Sequence, residues 1–430
     1  MDEQARSLNN IIEKQNANVI KMLSEKGKNI YFPRLGILSQ AAQAKGKDIN
    51  ATIGMAVEDD KSSMHLPEFE SLINLPVNNV FPYAPSFGKK DFRDIWKNLI
   101  YKKNPSLDNM PISTPVATNG VTHAMSLAGY LFVDSGDIVV LSDLYWENYN
   151  LILENGYSAK TRTFELFKNG GFNRDSFAAT LNNIKQEKII LILNFPNNPS
   201  GYTPLNAEID LITETINNQA RKGKKIVVLV DDAYFGLVYE DNVFKESIFA
   251  RLAGLNENIM AVKLDGPTKE DYVWGLRVGF ITFGIKNGTP ALYEAMENKT
   301  AGAVRGNISN ISHLSQSALL AVYSHKNYDS SKRKKYDILK SRYTKLKDTI
   351  YLPKYSEYIE PLPFNSGYFM CVRLKKGLDT EQVRTHMLNR YSTGVIVSGD
   401  VIRLAFSSVP RSAIPDLIEN LYNACKDMDT

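Results

Sequence analysis

Between Val116 and about Phe283, short β-branched runs alternate with stretches of helical periodicity. The runs predict strands at 115–117, 138–141, 159–164, 189–194, 226–230, 259–264 and 278–283. Two of them, within 188–193 and 225–230, are apolar on both faces after a leading lysine, rather than at alternate positions. Continuous apolar strands separated by helices imply a mostly parallel sheet with helices on both faces. Elsewhere the pattern differs. Ile11, Ile12, Val19, Ile20 and Leu23 fall at helical spacing and predict a helix over the first ~30 residues. An irregular stretch, rich in Pro, Ser and Asn, starts at 49–54 and runs to about Gly88, and 91–101 is helical again. After about Asn310 a polar, lysine-rich helical region, 315–349, precedes strands at 368–374 and 401–406. The expected architecture is α/β: a large domain over 76–309 with a mostly parallel seven-stranded sheet flanked by helices, and a smaller α+β domain over 310–430. The N-terminal segment, 1–75, contributes to the smaller domain.

Composition narrows the class. The chain has 430 residues, 43% hydrophobic and 23% charged, which suits a soluble globular protein with more than one core. Lys and Arg number 51 against 47 Asp and Glu, and this +4 surplus is too small to argue for nucleic acid or an anionic membrane. The basic run Lys332-Arg333-Lys334-Lys335 reads as a solvated helix face, with nucleic-acid binding as the lesser reading. Cys371 and Cys425 have no metal or redox spacing, and the five histidines are scattered, so no metal site is expected. No apolar run reaches a membrane span, and the N-terminus is unlike a signal peptide, which points to a cytoplasmic location.

The chemistry gathers at strand ends, where open parallel sheets bind ligands. Lys269 follows the run 259–264 and precedes Arg277 and the run 278–283. A lysine there can form a Schiff base with a carbonyl if burial or a nearby positive charge keeps its amine neutral, and Arg277 is such a charge. The alternative is an ordinary solvated lysine. Gly120, Val121 and Thr122 lie where a strand passes into a helix, and their amides at a helix N-terminus make an anion site or merely a capped helix start. Trp146 follows the run 138–141, and its indole can stack on a planar ring or pack under a loop. Asn198, in Asn197-Asn198-Pro199-Ser200-Gly201, is a donor on a turn. Asp231 ends the most apolar run, where a carboxylate needs a positive partner unless it is a loop-exposed cap, and Tyr234 follows it. A phosphate cradle, a stacking aromatic, a buried acid, two donors and a Schiff-base lysine are what a pyridoxal 5′-phosphate site requires.

At these residues the chain resembles the fold-type I, class I and II pyridoxal-phosphate aminotransferases, in the aspartate and aromatic group, from about Ile49 to about Ser408. Asn-Pro-x-Gly, Asp-x-x-Tyr and Lys followed by Gly-x-Arg-x-Gly occur in the family's order. The resemblance implies an aspartate-aminotransferase-like fold and a transaminase with ping-pong kinetics. It implies that Lys269 holds the cofactor covalently and then moves the proton. Asp231 would keep the pyridine nitrogen protonated, and Asn198 and Tyr234 would bond the ring oxygen. Trp146 would stack on the ring, and Gly120, Val121, Thr122, Thr268 and Arg277 would hold the phosphate. Tyr83 would reach the phosphate of a neighbouring subunit, implying a homodimer with shared sites. Arg403 would clamp the substrate α-carboxylate, with Gly54 contacting substrate by its backbone. Arg305, in Arg305-Gly306-Asn307-Ile308-Ser309-Asn310, would cross the dimer interface to a distal carboxylate, so that aspartate, glutamate and 2-oxoglutarate are accepted.

Two departures stand out. Gly266-Pro267-Thr268 replaces the family's hydroxyl-rich Ser-x-Ser/Ala/Thr, and the phosphate loop has one glycine. The rival reactions on this fold are β-elimination, C–S lysis and decarboxylation. A regulatory, effector-binding module is the rival of another class, disfavoured by the lack of a helix-turn-helix pattern and of basic excess.

Overall fold

Each of the seven predicted runs is a strand in the computed structural model, which describes residues 1–15, 17–32, 36–70 and 75–429. They are β1 (Val116–Thr118), β2 (Ile138–Ser142), β3 (Lys160–Phe164), β4 (Lys188–Asn194), β5 (Lys225–Asp231), β6 (Ile259–Asp265) and β7 (Gly279–Gly284). They form one seven-stranded sheet in the order β1-β7-β6-β5-β4-β2-β3. Strands β2 to β6 pair in parallel, and β7 runs antiparallel to both β6 and β1. Residues 189–194 of β4 are all buried, as a sheet covered on both faces demands.

The position of β7 has a chemical consequence. Being antiparallel, it starts at the edge where the parallel strands finish. Gly279 therefore pairs with Thr118, the last residue of β1, and Phe280 with Asp265. Residues just before β7 and residues just after β1 are thereby brought face to face.

A second sheet follows β7 in the chain. It is four-stranded and antiparallel, with β8 (Ile359–Pro361), β9 (Met370–Leu374), β10 (Ile396–Ser398) and β11 (Val401–Leu404) in the order β8-β9-β11-β10. The expected strands at 368–374 and 401–406 are β9 and β11; β8 and β10, each only three residues long, were below what periodicity can resolve. The N-terminal segment joins this layer, with Ile49 pairing Thr393 and Asn50 pairing Gly394. The two layers meet where the Asn365 and Ser366 amides both donate to Gly201 O, each at 2.9 Å.

Three expectations are corrected. The single helix over the first ~30 residues is instead Glu3–Gln15, Ala17–Met22 and Glu25–Asn29; Ser24 caps the last, its hydroxyl accepting from Gly27 N at 3.0 Å. The region 315–349 is two helices, His313–Tyr323 and Tyr328–Ile350, since His325, Lys326 and Asn327 turn the chain between them. Lys332 and Lys335 are not on a solvated face. Lys332 Nζ lies 2.9 Å from Glu270 and 2.8 Å from Asp271, and Lys335 Nζ lies 2.5 Å from Glu58. Carboxylates on other elements recruited them, buried in the case of Glu270 and Asp271 and half-buried in that of Glu58, and a local charge pattern does not show such partners. Among the described residues no helix is long and apolar enough to cross a membrane, and no cluster of His, Cys, Asp or Glu could hold a metal ion.

Candidate active site

A cavity of about 380 Å³ opens at the C-terminal ends of β4, β5 and β6, between the large sheet and the second layer. It gathers Gly54, Val121, Thr122, Trp146, Asn198, Asp231, Tyr234, Thr268, Lys269, Arg277 and Arg403. Register explains part of this convergence. Asn194 is level with Asp231, and Asp231 with Leu264, so the residues after each strand emerge side by side.

Lys269 sits on the loop after β6, its Nζ 5.3 Å from the Tyr234 ring centre. Tyr368 donates its hydroxyl to Lys269 O at 2.7 Å and fixes the loop. Burial pushes the Lys269 amine down to about 8, Asp231 opposes that, and Arg277 adds to it. An appreciable neutral fraction is therefore present near neutral pH, as nucleophilic attack on a carbonyl requires.

Asp231 is buried, and desolvation pushes its carboxyl above the ordinary range. Three donors hold it in place: Tyr149 Oη at 2.5 Å and Ala233 N at 3.0 Å to the carboxylate, and Asn194 Nδ2 at 2.9 Å to its carbonyl. Asp232 is buried too, bonded to Lys263 and to Ser247 Oγ, with Lys263 3.4 Å from Asp265. Neither aspartate is a loop-exposed cap. On the far side of Lys269, burial would raise the Glu270 carboxyl, but Lys103 and Lys332 outweigh it and bring it down to about 2. The lysine loop is thus flanked by ion pairs that fix its backbone.

The anion end follows from the antiparallel start of β7. Arg277 lies against Gly120, where a Cβ would fall 2.7 Å from Arg277 Nη2. Gly120 also has φ +80° and precedes the helix Val121–Phe132. One detail of the expectation is corrected: the Gly120 amide is not an outward donor, because it bonds Thr118 O at 2.9 Å. The Val121 and Thr122 amides, in the first helical turn, are those without an intrahelical acceptor. The departure at Gly266 also has a physical reason. A Cβ there would lie 2.7 Å from Gly279 Cα and 2.8 Å from Val278 O, so a serine does not fit.

Arg403 is buried, with Nη2 donating to Thr52 O at 3.0 Å and Nη1 to Asn198 Oδ1 at 3.4 Å. Its guanidinium lies 4.4 Å over the Phe369 ring, and its Nε has no hydrogen-bond partner. Burial lowers its pKa. A buried guanidinium satisfied only by neutral oxygens is a site for a carboxylate. Trp146 is half-buried and meets Tyr149 edge-on at 5.6 Å. Tyr234 packs edge-on against Tyr368 and Phe369.

Two expected residues are elsewhere. Tyr83 is 90% exposed and lines no part of this cavity. Arg305 is exposed, donating to Ser309 Oγ at 2.9 Å. They share one surface, since Ser86 Oγ donates to Ser309 O at 2.8 Å and His313 Nδ1 lies 2.9 Å from Pro82 O. Sequence reasoning missed Tyr149, Asn194, Trp274, Ile37, Leu38 and Ala41, all in the cavity wall. The spacing of Tyr149 from Trp146 and the end of β4 at Asn194 were available signals; the others carry none.

These residues fit pyridoxal 5′-phosphate: a cradle that a Cβ at Gly120 would fill, a buried acid, an amine whose pKa burial lowers to about 8 and an unpartnered guanidinium nitrogen. Fold and site define an enzyme of the pyridoxal-phosphate class. The sequence model of the family "Aminotransferase class I and II" matches residues 75–421, and the chain belongs to that family. It is an aminotransferase whose cofactor is pyridoxal 5′-phosphate. The chain is similar to an aminotransferase from Anaerococcus prevotii at 25% identity and TM-score 0.84, covering 94% of this chain and 99% of that one. It shares its fold with the Pyrococcus horikoshii kynurenine aminotransferase solved with PMP (16%, TM-score 0.78, 96% and 99% covered). The same holds for the α-aminoadipate aminotransferase of Thermus thermophilus with N-(5′-phosphopyridoxyl)-L-leucine (18%, TM-score 0.73, 95% and 98% covered). No curated protein matches the chain in sequence.

Proposed function

We propose that the chain moves the amino group of an L-α-amino acid to a 2-oxo acid, 2-oxoglutarate among the acceptors, with Lys269 as the proton carrier. The observation that carries this reading is the gathering of Lys269, Asp231 and Arg403 in one cavity. Pyridoxal 5′-phosphate, when bound, supplies the electron sink that stabilises charge at the substrate α-carbon. Arg277, Thr268, Thr122 and the first-turn amides would hold its phosphate, and Asp231 its ring nitrogen. Asn198 and Tyr234 would bond its ring oxygen, and Trp146 would cover its face. Arg403 binds the α-carboxylate, its unpartnered Nε adding a donor to those already turned to Thr52 and Asn198. Gly54 lines the cavity beside Phe369 and contacts the substrate by its backbone. Lys269, neutral in part near pH 8, takes the α-proton and returns it.

The enzyme works as a homodimer in this reading. Exposed Tyr83 and Arg305 share a surface outside the chain's own cavity, so each acts only on a second copy: Tyr83 on its phosphate, Arg305 on a distal carboxylate. With the chain divided into 76–309 and 310–430, the Ile49–Thr393 pairing supports 1–75 completing the latter.

The test is an absorbance spectrum of the purified protein before and after single L-amino acids, without any 2-oxo acid. Loss of the visible band, gain of a near-ultraviolet one and release of 2-oxo acid are expected, and Lys269→Ala should abolish the conversion. Ammonia, thiol or carbon dioxide from an unchanged visible band would overturn transamination in favour of elimination or decarboxylation.

A further inference from the structure

The cations of the cavity are all assigned by the proposed function, on which this inference rests. Of the lining residues, Lys269, Arg277 and Arg403 carry positive charge, and they serve the covalent link, the phosphate and the α-carboxylate. Among the described residues, no further basic side chain of this chain's own lines the cavity for a substrate side chain. The wall beyond them is apolar: Ile37, Leu38 and Ala41 on the helix Ile37–Gln43, then Ile53, with Phe369 on the second layer. Leu38 is 46% exposed and Ile53 is 38% exposed, so this apolar surface stands open to solvent inside a binding cavity.

The helix carrying that wall is anchored. Gln40 is buried and bonds β10 in both directions: Val397 N donates to its Oε1 at 2.7 Å, and its Nε2 donates to Val397 O at 3.2 Å. Asn50 Nδ2 donates to Ala44 O at 3.2 Å just past the helix. Gln40 thus acts like one residue of an added strand and turns Ile37, Leu38 and Ala41 toward the cavity rather than into the core.

We infer that this wall receives the side chain of the amino donor, and that the preferred donor has an apolar side chain, aliphatic or aromatic, bearing no second charge. Burying each methylene against the wall contributes about 0.8 kcal/mol, or about a fourfold gain in affinity. Selectivity on this wall therefore grows with chain length.

The experiment measures equilibrium binding of inert acids to the cofactor-loaded enzyme, by perturbation of its visible band. The probes are propionate, butanoate, 4-methylpentanoate, 3-phenylpropionate and the dicarboxylate glutarate. Expected is an affinity for 4-methylpentanoate on the order of 60-fold above propionate, from its three additional carbons, with glutarate weaker than 4-methylpentanoate. Leu38→Arg should reverse the order, raising glutarate affinity about 10-fold. Affinity flat with chain length, or glutarate binding tightest in the unmodified enzyme, overturns the inference and leaves the transaminase reading standing. If no carboxylate binds at all, the role of Arg403 fails, and the proposed function fails with it.

Discussion

The cavity has two unlike walls. The wall bearing Asp231 and Lys269 grows from buried strand ends, and its polar groups are held from behind: Tyr149, Ala233 and Asn194 on Asp231, Tyr368 on the Lys269 carbonyl, Lys103 and Lys332 on Glu270. The wall bearing Ile37, Leu38 and Ile53 lies on a short helix and an extended segment, half open to solvent and tied down chiefly through Gln40. Low dielectric and fixed dipoles are what shift a pKa and stabilise developing charge, so reactive groups gain from the first kind of wall. Recognition of an apolar side chain needs only area and shape, which the second kind provides at little structural cost. The contrast teaches that one site can hold its chemistry rigidly while its selectivity is changeable by single surface substitutions.

The comparison can be broken most forcefully at Asp231. Asp231→Asn keeps the shape and removes the charge. It is expected to lower kcat by about 10³-fold while the melting temperature of the cofactor-free protein holds or rises, since a desolvated carboxylate is removed. A kcat within tenfold of the original would show that the acid is structural. Next in size is a pH effect at Lys269. Its amine, brought to about 8, gains neutral fraction as pH rises through that value. Uptake of pyridoxal 5′-phosphate by the cofactor-free protein should therefore quicken about 10-fold per pH unit below 8 and level off above it. Stopped-flow absorbance between pH 6 and 10 checks this, and a rate still climbing at pH 10 would contradict the role of burial. The smallest effect belongs to the other wall. Gln40→Ala frees the helix Ile37–Gln43 from Val397, and KM for an apolar donor should rise about 10-fold with kcat held within twofold. A fall in kcat instead would mean that the two walls are mechanically one.

Much of the reactive wall was legible in the chain. Lys269, Asp231, Asn198 and Thr122 each follow an apolar run, and once those runs are strands of one sheet their ends must converge. Arg403 was legible as an arginine on a strand, but its burial and unpartnered Nε came from packing against Phe369 and Thr52, far off in the chain. The second wall was scarcely legible. Ile37 and Leu38 are unremarkable on a short helix, and only the pairing of Gln40 with Val397 makes them cavity residues. Lys332 reversed its expected role for the same reason, because its partners Glu270 and Asp271 lie on another element.

By itself, then, the sequence determined the strands, their parallel sheet and the residue types able to hold a phosphate, a ring and a carboxylate. Periodicity and strand ends are local properties, and local order is written in adjacent residues. Tertiary structure alone decided that β7 runs antiparallel and delivers Arg277 to Gly120, that Gly266 leaves no room for a serine, and that Ile37, Leu38 and Ala41 line the same cavity as the lysine. Each of these depends on groups distant in the chain meeting within a few ångströms, and the close packing of an interior sets such distances jointly for all its parts.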